Sequence, residues 1–89
     1  MLFRSKNAIY DFSQVIAMDS KNAFAFNGRG MAKKEMGDLK GALADFNRAI
    51  QLDPKLGQAY SNRAECWEER GEYKRGLRDI RKEIGRAHV

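Results

Sequence analysis

In 89 residues the chain holds one cysteine, one proline, one histidine and no threonine, and it lacks any long apolar run. Each shortage removes a class of protein. A lone Cys66 cannot form an internal disulfide, which is compatible with a reducing compartment. With one proline and no threonine in 43% hydrophobic sequence, few residues break helices and few favour strands, so long helices are expected. No apolar segment approaches the roughly 18 to 20 residues that cross a bilayer, and the start, Met1-Leu2-Phe3-Arg4-Ser5-Lys6, has no secretory apolar core. The expectation is a soluble, intracellular, cytoplasmic protein. His88 stands one residue from the C-terminus, where surrounding structure cannot position a general base.

What is present is a repeat. Shifting the sequence by 34 residues pairs 55 positions, of which 15 are identical, against about three expected from ordinary composition. Asp11 and Phe12 fall on Asp45 and Phe46; Ile16 falls on Ile50 and then Ile84; Gly37 falls on Gly71. A fixed period of this size marks supersecondary units too small to bury their own apolar faces, which become stable by stacking. At this length the array is a single domain, residues 1–89.

Apolar periodicity resolves five helical stretches. In 6–18 the stripe is Ala8, Ile9, Phe12, Val15 and Ile16; in 39–52 it is Leu39, Ala42, Leu43, Phe46, Ala49 and Ile50; in 73–86 it is Tyr73, Leu77, Ile80 and Ile84. Between them, 23–36 carries Phe26, Gly30 and Ala32, and 57–70 carries Tyr60, Ala64 and Trp67. Gly37-Asp38 and Gly71-Glu72 end helices by the left-handed conformation glycine allows, and so short a connection forces an antiparallel partner. Asp53-Pro54 stops another helix, and Asp19-Ser20-Lys21-Asn22 does so with capping and turn residues.

In this register the residues resemble the tetratricopeptide repeat, a 34-residue helix pair. Residues 23–56 match one full unit through Phe26, Gly30, Gly37, Ala42, Phe46, Ala49 and Pro54; residues 57–89 resemble a second through Tyr60, Ala64, Trp67, Gly71 and Ile80. Residues 6–22 resemble the second helix of an earlier unit through Ala8, Phe12 and Val15. The resemblance implies an all-α fold of about five helices, antiparallel helix-turn-helix units stacked as a short right-handed superhelix. It also implies a non-enzymatic protein-interaction module without cofactors.

Departures from the pattern sit at both ends. Lys33 replaces the usual aromatic, Gly76 and Glu83 replace alanines, and Ser20 and His88 replace prolines. A buried unpaired carboxylate is costly, so Glu83 makes 57–89 a divergent capping unit with its last helix toward solvent. At the other end, helix 6–18 is a second helix without a preceding first helix, leaving the Ala8, Phe12 and Val15 stripe short of its usual cover. Burying a Phe and a Val is worth about 1.5–3 kcal/mol each. Three arrangements compete: a piece of a longer array, self-association as a homo-oligomer through this helix, or Leu2 and Phe3 folding back over it.

Catalytic and metal-binding readings fail on residue type. Cys66 aligns with Ala32, a small inward position, so a structural thiol is expected rather than a nucleophile. Glu65, Glu68, Glu69 and Glu72 crowd one helix and its turn, but no histidine or second cysteine joins them as a metal ligand. Gly28-Arg29-Gly30 lies in a helix, follows no strand and lacks a third glycine, which excludes a phosphate loop.

What remains is recognition of a protein or peptide. The resemblance places partner contacts on the concave face lined by first helices, here Phe24, Asn27, Met31, Lys34, Gln58, Ser61, Asn62, Glu65 and Glu68. A subset of the family clamps chaperone C-terminal carboxylates there with lysine, arginine and asparagine. Only Asn62 fits that clamp, so chaperone-tail binding is disfavoured.

Charge adds one alternative. The net charge of +5 resides mostly in residues 70–89, where Arg75, Arg78, Lys82 and Arg86 form a basic stripe. Such a stripe could meet an acidic partner, an anionic membrane or nucleic acid. Nucleic acid is disfavoured because no aromatic free for base stacking is interleaved with these cations.

Overall fold

A computed structural model describes residues 2–71. They form four helices: α1 (Leu2–Met18), α2 (Ala23–Glu35), α3 (Leu39–Leu52) and α4 (Gly57–Glu69), with no strand among the described residues. The expected fifth stretch, 73–86, lies outside them, as do the basic stripe and the capping half of the last unit. Helices α2 to α4 fall within a residue or so of the expected bounds. Helix α1 starts earlier than expected, at Leu2. Nothing in Leu2–Ser5 breaks a helix, so this segment extends the axis of α1 instead of folding back over its stripe, which removes one of the three arrangements considered above.

The repeat is visible in the joints as well as in the helices. At the α2–α3 joint Gly37 takes φ +86°, its N–H donates to the Lys34 carbonyl at 2.9 Å, and the Asp38 N–H donates to the Lys33 carbonyl at 2.9 Å. These two bonds close the last turn of α2 in a Schellman arrangement. Asp38 then caps α3, its carboxylate accepting the Gly41 N–H at 2.9 Å. Gly71, with φ +80°, stands in the same register after α4.

The other joint type is also used twice. Asp19 and Asp53 each accept the N–H two residues on, from Lys21 at 3.2 Å and Lys55 at 3.1 Å. This short Asx bond explains why Ser20 serves where Pro54 stands in the next unit.

Gly37 offers a clean stability test. A Cβ there would meet nothing within 4 Å, so only the backbone conformation opposes substitution. Gly37→Ala is expected to lower stability by about 1 kcal/mol with no change of fold. Urea unfolding followed by circular dichroism reads this directly.

Each helix packs on the next, and α2 also touches α4, so first helices lie side by side. Two apolar clusters fill the spaces: Ala23, Phe26, Ala49, Leu56 and Ala59 in one, and Ala42, Leu43, Phe46 and Cys66 in the other. Small residues let large rings reach the helix backbone. At Gly30 a Cβ would stand 2.6 Å from Phe46 Cε1, so the Phe46 ring occupies the space glycine leaves.

Phe12, 34 residues before Phe46, does the same to Gly28 of α2. Its ring is therefore partly covered. That corrects the expectation for the α1 stripe: Phe12 and the partly buried Ala8 belong to or border the α1–α2 contact, and the open side carries Val15, 39% exposed, with Met18, 89% exposed.

Candidate functional site

Two polar constructions organise the described residues, one on each side of α2. The first lies where α1, α2 and α3 meet. Asp45 is 4% exposed, and its carboxylate accepts both Nε and Nη2 of Arg29 at 2.8 Å, while Lys33 Nζ approaches at 3.2 Å. Arg29 Nη1 also donates to Ser13 Oγ of α1 at 3.2 Å, so one guanidinium ties three helices. Its pKa is raised, chiefly by the hydrogen bond to Asp45. Lys33 stands where the repeat usually has an aromatic, and its amine serves this same carboxylate.

The arginine's reach to the preceding second helix recurs one unit on. Arg63, 34 residues after Arg29, donates Nη1 to Asn47 Oδ1 at 2.8 Å, and Asn47 lies 34 residues after Ser13. Arg63 also lies over the rings of Trp67, at 4.8 Å, and Tyr60, at 5.4 Å. The sequence carries this signal in the recurrence of Arg29 at Arg63 and of Asp11 at Asp45 and Asp79, and reasoning from apolar periodicity passes over it.

The second construction is the face shared by α2 and α4, where the sequence places the concave site. Phe24 is 68% exposed and Met31 is 45% exposed, an unusual display for two large apolar residues on one short helix. Between them Asn27 is 4% exposed, and its Oδ1 accepts Nδ2 of Asn62 at 3.0 Å. Asn27 is thus a buried link between first helices and not an open surface residue. Asn62 and Ser61 are half-buried, whereas Gln58, Glu65 and Glu68 are exposed.

At the far end of this face Lys34 Nζ reaches Glu65 Oε2 at 2.8 Å and Glu69 Oε1 at 3.5 Å. The hydrogen bond to Glu65 raises the Lys34 pKa against the opposing effect of partial burial. The Glu68 carboxylate makes no ion pair or hydrogen bond among the described residues. Lys34 therefore pairs with two carboxylates while Glu68 adds a third, and this end of the face is acidic.

The raised Lys34 pKa fixes the sign of a pH effect. The contribution is complete below lysine's ordinary value of 10.5 and is lost as pH rises through the folded value. The difference in unfolding free energy between wild type and Lys34→Gln should therefore stay constant from roughly pH 7 to 9 and shrink only as pH rises above lysine's ordinary value of 10.5. Because the carboxylates are exposed, the difference is expected at or below about 1 kcal/mol and should fall with salt.

The remaining candidates are quickly placed. Cys66 is 0% exposed in the α3–α4 cluster, and burial pushes its thiol pKa up to about 11, so it packs as a small apolar residue. Among the described residues there is no grouping of three or more potential metal ligands, and no helix is long and apolar enough to cross a membrane.

Stacked antiparallel helix pairs, with glycine-ended first helices lining one face, define a helical-repeat protein. Residues 23–56 match the family model of the tetratricopeptide repeat. No curated protein matches the chain in sequence. Among solved structures, a crystal structure of MamA superposes with a TM-score of 0.90 at 20% identity, covering 96% of this chain and 50% of that one. The second TPR of Spaghetti (RPAP3), bound to the HSP90 peptide SRMEEVD, superposes at 0.86 with 25% identity, covering 90% of this chain and 74% of that one. The chain therefore spans about half the length of the MamA chain it matches.

Proposed function

We propose that the chain is a non-enzymatic protein-interaction module that holds a segment of another protein across α2 and α4. The observation that carries this reading is the pairing of exposed Phe24 and Met31 with the Asn27–Asn62 link and an acidic end. Apolar anchors supply area, and an asparagine carbonyl can accept from a backbone N–H of an extended chain. In these terms Phe24, Met31, Lys34, Gln58, Ser61, Asn62, Glu65 and Glu68 line the contact, and Asn27 positions Asn62.

Charge selects among partners. The RPAP3 domain holds the acidic peptide SRMEEVD. Here Lys34 is already shared by Glu65 and Glu69, and Glu68 adds a further negative charge, so an acidic tail is repelled and a basic segment favoured. A random peptide library selected on the chain is expected to yield segments with an apolar residue followed by lysine or arginine. Binding should weaken on Phe24→Ala, Asn62→Ala and Glu68→Lys; enriched peptides indifferent to all three changes would place the contact elsewhere.

The open side of α1, with Ala8 at its border and Val15 and Met18 exposed, supplies a second surface in the same reading, for association with another helix.

A further inference from the structure

Asp11 stands 34 residues before Asp45, and no cation among the described residues meets its carboxylate. Its counterpart 34 residues on, Asp45, is 4% exposed and held by Arg29 at 2.8 Å and Lys33 at 3.2 Å. The linking arginine occupies one place in each unit. Arg29 stands 16 residues before its acid in α3, and both arginines reach back to the second helix that precedes, Arg29 to Ser13 and Arg63 to Asn47. Helix α1 carries both halves of this pattern. Ser13 is engaged by Arg29, while Asp11 is exposed and its carboxylate makes no ion pair or hydrogen bond among the described residues.

Apolar residues flank that carboxylate. Ala8, Asp11, Val15 and Met18 follow steps of three and four, so they share one edge of α1. Val15 is 39% and Met18 is 89% exposed. Within the described residues α1 packs on α2 alone, so this edge carries no helix. In the next unit, the same edge of α3 is covered by α2, whose Arg29 and Lys33 meet Asp45.

We propose that this edge of α1 docks an amphipathic helix from a partner chain that places an arginine or lysine against Asp11. This deepens the second contact surface proposed above and rests on it. The occupant's chemistry follows from the repeat: a helix resembling α2, with an apolar stripe that packs on Ala8, Val15 and Met18 and a cation at the Arg29 place. A separate chain is favoured because α1 continues as helix through positions 3 and 4, the register of the Gly37-Asp38 turn. The α2–α3 kind of joint is therefore not made there.

The test uses the full chain and a labelled synthetic peptide of residues 22–37, the segment that satisfies Asp45 in the fold. Fluorescence anisotropy should show binding below about 1 mM. Asp11→Asn should weaken it about tenfold, as should Arg29→Ala in the peptide, and the two changes together should cost little more than either alone. Arg29→Lys in the peptide should retain part of the affinity. Asn62→Ala, which alters the α2–α4 face, should leave this binding unchanged, so failure of one surface is distinguished from failure of the other.

Circular dichroism of Asp11→Asn should match wild type, because the residue is exposed. Three results would overturn the proposal: no binding up to about 1 mM, equal affinity for wild type and Asp11→Asn, or a dimer of the chain that Val15→Asp dissociates but Asp11→Asn does not.

Discussion

Phe46→Ala is expected to abolish cooperative unfolding or to lower stability by about 3–5 kcal/mol. The side chain is 0% exposed, is surrounded by Ala42, Leu43 and Cys66, and rests against Gly30, so truncation opens a cavity between α2, α3 and α4. A domain of this size has on the order of 5–10 kcal/mol to lose. The glycine makes the site unforgiving. No side chain at position 30 can collapse into the void, and small neighbours at Ala42 and Cys66 cannot reach across it. Phe46→Leu, which keeps most of the volume, is expected to cost under about 1.5 kcal/mol more than the transfer difference alone. Urea denaturation of both variants reads the effect, and a loss below about 1 kcal/mol for alanine would contradict this packing.

The second large effect concerns the charged tie among three helices. Asp45→Ala leaves the Arg29 guanidinium, 20% exposed, without its bidentate acceptor and removes the carboxylate that Lys33 also uses. Removing one partner of a buried pair typically costs about 3–5 kcal/mol, and the partial exposure of Arg29 brings the expectation here to about 2–4. The cost arises from stranded charge more than from lost attraction. Adding Arg29→Met and Lys33→Met to Asp45→Ala should therefore recover part of the stability, because apolar groups of similar length pack without a desolvation penalty. A triple variant no better than Asp45→Ala would locate the cost in packing instead.

Both residues were marked in the sequence, but by different signals. Phe46 lies on an apolar stripe of period 3.6 and recurs from Phe12, so its burial follows from pattern alone. The glycines at 37 and 71 announced left-handed joints, and both adopt positive φ. Asp45 was visible only as a recurrence. An aspartate within a helical stripe says nothing of its partner until the preceding helix is placed beside it, and the 16-residue spacing from Arg29 is not a helical period.

The same limit applies where pattern and burial part. Phe12 and Val15 sit on one apolar stripe, yet one faces α2 and the other solvent, because a stripe about 100° wide spans both the contact and its edge. Position in the repeat puts Asn27 on an open face, whereas it is 4% exposed. Its burial depends on Asn62, 35 residues away, through a bond that no local pattern encodes. Helix α1 starts at Leu2, ahead of the periodic apolar spacing that begins only at Ala8.

The central claim is that the face shared by α2 and α4 binds a basic protein segment. Affinities of library-selected peptides for wild type, Asn62→Ala and Glu68→Lys, compared at low and high salt, test it most directly. The account predicts lysine- or arginine-bearing peptides whose binding falls at least about fivefold with either substitution and weakens with salt. Peptides that are acidic, or that bind all three proteins equally, would contradict it.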